Sequence, residues 1–368
     1  MTSWKPIVGN ARRIVVKVGS STLSEIGLDP LVQALDALRA RGLEVALVTS
    51  GAVACGMQRL GMLDRPREVA LVQAVAAVGQ ADLMARYQAA AAARGLQVAQ
   101  VLLTHEDLAT RRSFMNVRHA MFALLELGVV PIANENDTVA TEELRFGDND
   151  RLAAAFATVL DADLVILLSD IPCLYDRDPK ADPSAEPVRV VERIDQATRE
   201  MAGAAGSKVG TGGMVSKIEA AGIAVEAGIP LVIALGRDPS ICLRILDGEP
   251  EGTLFLPQKK LDRRRHWIGF LSRLEGVITI DQGAVDALRA RGSSLLPIGV
   301  TGVEGWFERG DGVAIKGPDG VIVARGLTGY DTKTLDAIRG LRSDAVADKL
   351  GKSGIEPVVH RNDLVMSG

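Results

Sequence analysis

The sequence predicts an α/β protein in three layers, a parallel sheet between two sets of helices, followed by a small, mostly β domain. Three observations predict it. Between Arg12 and about Leu256, short β-branched runs alternate with longer Ala/Leu-rich stretches of helical period, as a sheet covered on both faces requires. After Leu274 the texture changes to short strands punctuated by glycine. At 368 residues the chain exceeds what one hydrophobic core usually organises, so a large domain and a smaller one are expected.

The elements follow in order. Apolar, β-branched runs predict strands near 14–17, 45–49, 98–103, 129–133, 164–168 and 231–234. Helical periods predict helices near 30–40, 67–93, 113–127, 150–160 and 214–227, and plain helix propensity accounts for the alanine-rich part of the second. Pro179, Pro183 and Pro187 stand among charged residues in 175–187, which reads as an exposed, mobile loop and a candidate lid. Lys259, Lys260, Arg263, Arg264 and Arg265 cluster after the last α/β strand and mark a linker. Beyond it, strands are expected at 276–280, 312–316 and 321–324, and helices at 281–291 and 332–339. The domains are thus 1–257, a linker 258–275, a small domain 276–354 and a tail 355–368. The sequence contains no internal repeat and no low-complexity tract.

With 47% hydrophobic and 24% charged residues the chain reads as an ordinary globular protein, neither disordered nor membranous. No uninterrupted apolar run approaches the roughly 18 residues of a membrane span. Residues 1–13 carry Lys5, Arg12 and Arg13 without the apolar core of a secretory signal, so a cytoplasmic location is expected. A formal net charge of -4 gives no overall attraction for nucleic acid or an anionic membrane, so any phosphate site is local. Cys55, Cys173 and Cys242 are scattered without ligand spacing and read as buried free thiols.

Four polar clusters interrupt this pattern at predicted strand ends. The first strand runs into Lys17-Val18-Gly19-Ser20-Ser21, a lysine at a strand end with a glycine that admits backbone amides to a phosphate, although the spacing is not that of a Walker motif. The second ends in Thr49-Ser50-Gly51-Ala52, where Ser50 is equally well read as a helix cap. Asn134-Glu135-Asn136-Asp137, directly after an apolar strand, is followed by Gly147-Asp148-Asn149-Asp150; so dense a polar cluster is expensive to bury without a ligand, although Asp148 or Asn149 also suits a helix cap. Ser169-Asp170 leaves the fifth strand. Later, Gly210-Thr211-Gly212-Gly213-Met214-Val215-Ser216-Lys217 opens a helix, so that amides, a helix dipole and a lysine can meet a nucleotide's phosphates.

Taken in order, these motifs resemble the amino acid kinase family, and the region from Gly276 to about Lys352 resembles the PUA domain that some members carry. The pattern resembles the bacterial members that act on L-glutamate. The resemblance implies transfer of the γ-phosphoryl group of ATP to the γ-carboxylate of L-glutamate, giving L-glutamyl 5-phosphate, the first step of proline biosynthesis. It implies that Lys17 bridges the carboxylate and the transferring group, that Lys217 holds charge on the β-phosphate side, and that Asp150 orients both lysines. Ser50, Asp137 and Asn149, with Asn134 and Asp148 close by, match glutamate-binding positions. Lys17, Gly19, Gly51, Ser169, Asp170 and the run Thr211, Gly212, Gly213, Met214, Val215, Ser216 and Lys217 match nucleotide-binding positions. Magnesium is expected with the ATP, with no protein ligand assigned to it. Family habit implies feedback inhibition by proline near Glu135 and 138–145, and a homo-oligomer, a dimer or tetramer. Ser169 stands where threonine is frequent, and Val215-Ser216 fills a variable place; neither change removes a donor.

Other members of the family phosphorylate N-acetylglutamate, aspartate, carbamate or uridylate, and a fold alone does not choose among them. The C-terminal region does: ACT repeats are expected of the aspartate enzymes, and an end near residue 260 of the acetylglutamate and uridylate ones, the former being the runner-up. An RNA-binding role is the alternative of a different class. It is opposed by the balance after Gly276, 11 Lys/Arg against 12 Asp/Glu, where an RNA surface needs a basic excess. A catalytically dead regulator would require the loss of Lys17, Asp150 or Lys217, and all three are present.

Overall fold

The computed structural model describes residues 3–140, 149–179, 181–204, 213–257, 268, 273–350 and 357–367. The chain divides into two compact units, Met1–Leu108 with Arg112–Lys260, and Leu261–Gly368 with Ala109–Arg111. In the first, ten strands are described: β1 (Arg13–Val18), β2 (Glu44–Val48), β3 (Val98–Leu103), β4 (Val130–Glu135), β5 (Leu164–Ser169), β6 (Leu174–Tyr175), β7 (Pro187–Val188), β8 (Val190–Val191), β9 (Leu231–Leu235) and β10 (Thr253–Phe255). Eight of them form one sheet in the order β3-β4-β2-β1-β5-β9-β10-β8, parallel except where β10 meets β9. The six expected strands are all there, as β1, β2, β3, β4, β5 and β9. In β1 every residue after Arg13 is buried, because helices cover both faces of a parallel sheet.

The strand order reverses at β1. The chain moves from β1 to β2 on one side, out to β3, back to β4, and then crosses to β5 on the other side of β1. In an open α/β sheet such a switch point opens a crevice beyond the carboxyl ends of the strands. Into it run Lys17, Thr49, Glu135 and Ser169, at or next to the last residues of β1, β2, β4 and β5.

Two helices close the walls of that crevice. Helix Asn149–Leu160 is buried from Leu152 to Leu160, and its four alanines, Ala153, Ala154, Ala155 and Ala157, admit close packing on β1, β5 and helix Met214–Glu226. Helix Val69–Ala92 is apolar and long enough to cross a membrane by composition. Its packing gives it another role: a Cβ at Gly79 would lie 1.8 Å from the Ala52 carbonyl oxygen, so only glycine permits this approach to helix Ala52–Leu60. It is a wall of the large unit.

Several expectations are corrected. The ends of segment 175–187 are not loop: Tyr175 pairs with Pro187 and Leu174 with Val188 in an antiparallel ladder. Arg177 bridges Asp176 and Asp182 inside it. Two-residue strands carry no readable periodicity, and the proline is tolerated because it opens its strand. The second unit holds a five-stranded sheet, β12-β11-β13-β14-β15, of β11 (Leu274–Ile280), β12 (Val300–Gly305), β13 (Gly312–Lys316), β14 (Ile322–Thr328) and β15 (Val359–Met366). The expected tail therefore contains a sheet strand, whose run His360 to Asp363 is too polar to read as one. Both expected helices form behind aspartate caps, Asp281 accepting from the Ala284 amide and Asp331 from that of Thr334. Asp148, Thr211, Gly212 and most of the expected linker 258–275 lie outside the described residues.

Candidate active site

The centre of the crevice is one carboxylate between two ammonium groups. Asp150 Oδ1 lies 2.5 Å from Lys17 Nζ, and Asp150 Oδ2 lies 3.0 Å from Lys217 Nζ. The carboxylate is 0% exposed and the lysine side chains 4% and 5%. Three elements far apart in sequence supply them: the end of β1, the first turn of helix Asn149–Leu160, and the first turn of helix Met214–Glu226. Asp150 suits its place, because a helix N-terminus stabilises negative charge. Lys217 does not suit its own on that ground, so its burial there depends on the carboxylate across from it. Ser216 completes the group, its single O–H within reach of the Gly213 carbonyl at 2.9 Å and, alternatively, of Asp150 Oδ2 at 3.3 Å. Formally the three charges sum to +1, the sign that suits a phosphate.

Beside this triad lies a neutral half of the site. Asn149, one residue before Asp150, directs its Nδ2 at three acceptors: the Thr49 carbonyl at 2.5 Å, Ser50 Oγ at 2.8 Å and Asn134 Oδ1 at 2.8 Å. Asn134 is buried, donates to Gln80 Oε1 at 2.7 Å and accepts from the Glu135 amide at 3.0 Å. Thr49 Oγ1 shares a 2.7 Å hydrogen bond with the hydroxyl of Tyr87. Burial pushes that phenol well above its ordinary pKa, more than the Thr49 hydroxyl draws it down. Gly51 follows with φ +111, a backbone conformation that favours glycine, and turns the chain from the end of β2 into helix Ala52–Leu60.

Of the residues expected from sequence, Lys17, Asp150, Lys217 and Ser216 gather in the charged cluster, and Ser50, Asn134 and Asn149 in the neutral one. Asp137 is half-buried in the turn after β4. Ser169 Oγ donates to Asp170 Oδ1 at 3.2 Å and accepts from the Ile171 amide, which folds the exit of β5 on itself. Gly19 and Gly213 stand as the extended residues before helices Ser20–Ile26 and Met214–Glu226; in the latter Met214 is buried and Val215 exposed. Sequence reasoning missed Gln80 and Tyr87. With Gln73, whose amide donates to the Ala140 carbonyl at 3.1 Å, they recur every seven residues on one face of helix Val69–Ala92. That polar stripe was the available signal.

A model described as the amino acid kinase family matches residues 12–235, and a PUA domain model matches 276–350. The chain belongs to the amino acid kinase family. Among relatives of this amino acid kinase, the glutamate 5-kinase of Carboxydothermus hydrogenoformans is 46% identical over 98% of this chain and 99% of its own. That of Trichlorobacter lovleyi is 44% identical over 98% of each. That of Synechococcus elongatus is 45% identical over 96% of this chain and 99% of its own.

Whether magnesium suits the site can be judged from its donors. Among the described residues no three His, Cys, Asp or Glu side chains gather as a metal cage. A hard cation that keeps its waters and binds phosphate oxygens fits such a site as the companion of a nucleotide.

Proposed function

We propose that this amino acid kinase transfers the γ-phosphoryl group of ATP to the γ-carboxylate of L-glutamate, giving L-glutamyl 5-phosphate, the first step of proline biosynthesis. The observation that carries the reading is the buried Lys17–Asp150–Lys217 cluster at the switch point of the sheet. Near-full-length identity to glutamate 5-kinases supports the choice of acceptor.

The reaction brings together two anions. A carboxylate oxygen of glutamate attacks the γ-phosphorus, the bond from that phosphorus to the β,γ-bridging oxygen breaks, and ADP leaves with the electron pair. The attacking carboxylate is already ionised near neutral pH, so the step needs no general base. The demands that remain are alignment and charge, which is the usual division of labour in phosphoryl transfer. Lys17 bridges the attacking carboxylate and the transferring group. Lys217 meets the charge that develops on the β-phosphate side. Asp150 holds both ammonium groups in register, so little reorganisation is needed when charge moves. Magnesium, when bound with ATP, neutralises charge on the phosphate oxygens.

Ser50, Asn134, Asp137, Asp148 and Asn149 would hold the amino acid, through acceptors for its ammonium and donors for its α-carboxylate. Gly19, Gly51, Ser169, Asp170, Gly213, Met214, Val215 and Ser216, with Thr211 and Gly212, would hold the nucleotide. We further assign the kinase domain to 1–257 and the PUA-like domain to 276–354, a cytoplasmic location, a homo-oligomeric state and inhibition by proline acting near Glu135.

The test is ATP- and magnesium-dependent acyl-phosphate formation trapped with hydroxylamine, run in parallel with L-glutamate, N-acetylglutamate and aspartate. Activity with glutamate alone is expected. Activity only with another acceptor would overturn the substrate and leave the triad's role standing.

A further inference from the structure

Four side-chain amides run head to tail from the surface to the site. Gln80 Nε2 donates to Gln100 Oε1 at 3.4 Å, Asn134 Nδ2 to Gln80 Oε1 at 2.7 Å, and Asn149 Nδ2 to Asn134 Oδ1 at 2.8 Å. The direction of this chain is set by backbone groups that have only one role. The Glu135 N–H can only donate, so the Asn134 atom facing it is the oxygen; the Thr49 carbonyl can only accept, so the Asn149 atom facing it is the nitrogen. Asn134 must then present its NH₂ to helix Val69–Ala92, where Gln80 meets it with a carbonyl.

The arrangement has a consequence for recognition. With its nitrogen directed at Thr49, Ser50 and Asn134, Asn149 offers a ligand its carbonyl oxygen, an acceptor suited to the ammonium of an amino acid. Asn134 is 3% exposed, so its NH₂ is costly to leave without an acceptor. Deprived of Gln80, the Asn134 amide loses the partner that fixes its outer end, and its oxygen is no longer held squarely on Asn149.

We propose that Gln80 is a positioning residue for the amino acid substrate, acting through Asn134 on Asn149. The inference rests on the glutamate reading of the site. Its test compares Gln80→Leu, which removes the acceptor, with Gln80→Glu, which keeps one; exposed Gln100 can turn to donate to the new carboxylate. Initial rates are measured against L-glutamate and ATP separately, with a thermal melt of each variant. Gln80→Leu is expected to raise the KM for glutamate about tenfold, the worth of one hydrogen bond of about 1.4 kcal/mol. The KM for ATP stays at the parent value and kcat within about threefold. Gln80→Glu stays within about threefold of the parent throughout. Should Gln80→Leu fold poorly, Gln80→Ala removes the same acceptor with less bulk. An unchanged glutamate KM without the acceptor, an equal loss in Gln80→Glu, or a loss that falls on ATP overturns the proposal. A parent enzyme that phosphorylates no glutamate overturns the substrate reading and this inference with it, whereas an active parent with an indifferent Gln80→Leu overturns only the inference.

Discussion

Asn149 and Asp150 are neighbours in the first turn of one helix, yet they serve different regions of the site. Successive helical residues project about 100° apart, so one reaches toward β2 and β4 and the other toward β1 and helix Met214–Glu226. Around Asn149 the described partners are a neutral amide, a hydroxyl and a carbonyl; Asp150 instead meets two ammonium groups. Neutral dipoles have direction but little field, so they suit discrimination among small ligands. Buried charges have field and are costly to maintain singly, so they suit a reaction in which negative charge moves. On the proposed reading, substrate choice falls to one wall and phosphoryl transfer to the other.

The largest test of that contrast falls on the charged wall. Lys17→Ala and Lys217→Ala are each expected to lower kcat by about 10³-fold or more, the scale seen when a cation on a transferring phosphoryl group is lost. Asp150 keeps one lysine in either variant, so a normal far-ultraviolet spectrum and a cooperative melt are expected. Normal turnover by both variants would end the mechanism. Asp150→Asn goes further, since it leaves two buried ammonium groups without their counter-charge. A loss of about 3–5 kcal/mol in urea unfolding is expected, together with inactivity. A variant as stable as the parent would mean that the lysines are neutralised by other means.

On the neutral wall the signature changes. Asn149→Ala removes the donor shared by Thr49, Ser50 and Asn134, and is expected to raise the glutamate KM about 10- to 100-fold while kcat falls far less. If kcat instead collapsed at saturating glutamate, the division between the walls would be lost.

How much of this was legible in the sequence follows the same physics. Strands β1, β2, β4, β5 and β9 show as continuous apolar runs because both faces are buried, and the polar clusters at the ends of β1, β2, β4 and β5 stand out against them, whereas β3, at the sheet edge, is partly exposed. Short or peripheral pieces did not show. β10 has three residues, and β15 carries His360 to Asp363 in its middle, so neither has a period to read. The three charges of the triad were each visible as residues, but their meeting is a property of helix packing, and only the family resemblance had suggested it. Gln80 and Tyr87 were hidden for a different reason. In a helix of 24 residues whose alanines satisfy propensity alone, isolated polar side chains read as solvent-facing. Only their spacing of seven, with Gln73, marks a common face.

Tyr87 gives the smallest effect and the finest division of the two walls. Its hydroxyl touches Thr49, whose carbonyl receives Asn149, so it acts on the neutral wall. Tyr87→Phe should therefore leave kcat unchanged and cost about 1 kcal/mol of stability at pH 8, since Thr49 Oγ1 keeps the Ser50 carbonyl as an acceptor at 3.3 Å. Its pH dependence has a definite sign. The folded phenol has a raised pKa, so folding favours the protonated form. That contribution is fully present below the unfolded value of about 10 and is lost as pH rises beyond it. The parent should thus lose stability faster than Tyr87→Phe above pH 10, and the gap between them should narrow. Cys242, pushed up to about 12 by burial, adds the same slope to both proteins and cancels in the difference. Urea unfolding of the pair at pH 8, 9.5 and 11 reads this directly; a gap that stays constant would mean that the phenol titrates alike in the folded and unfolded chain, and that the wall behind Thr49 is open to water.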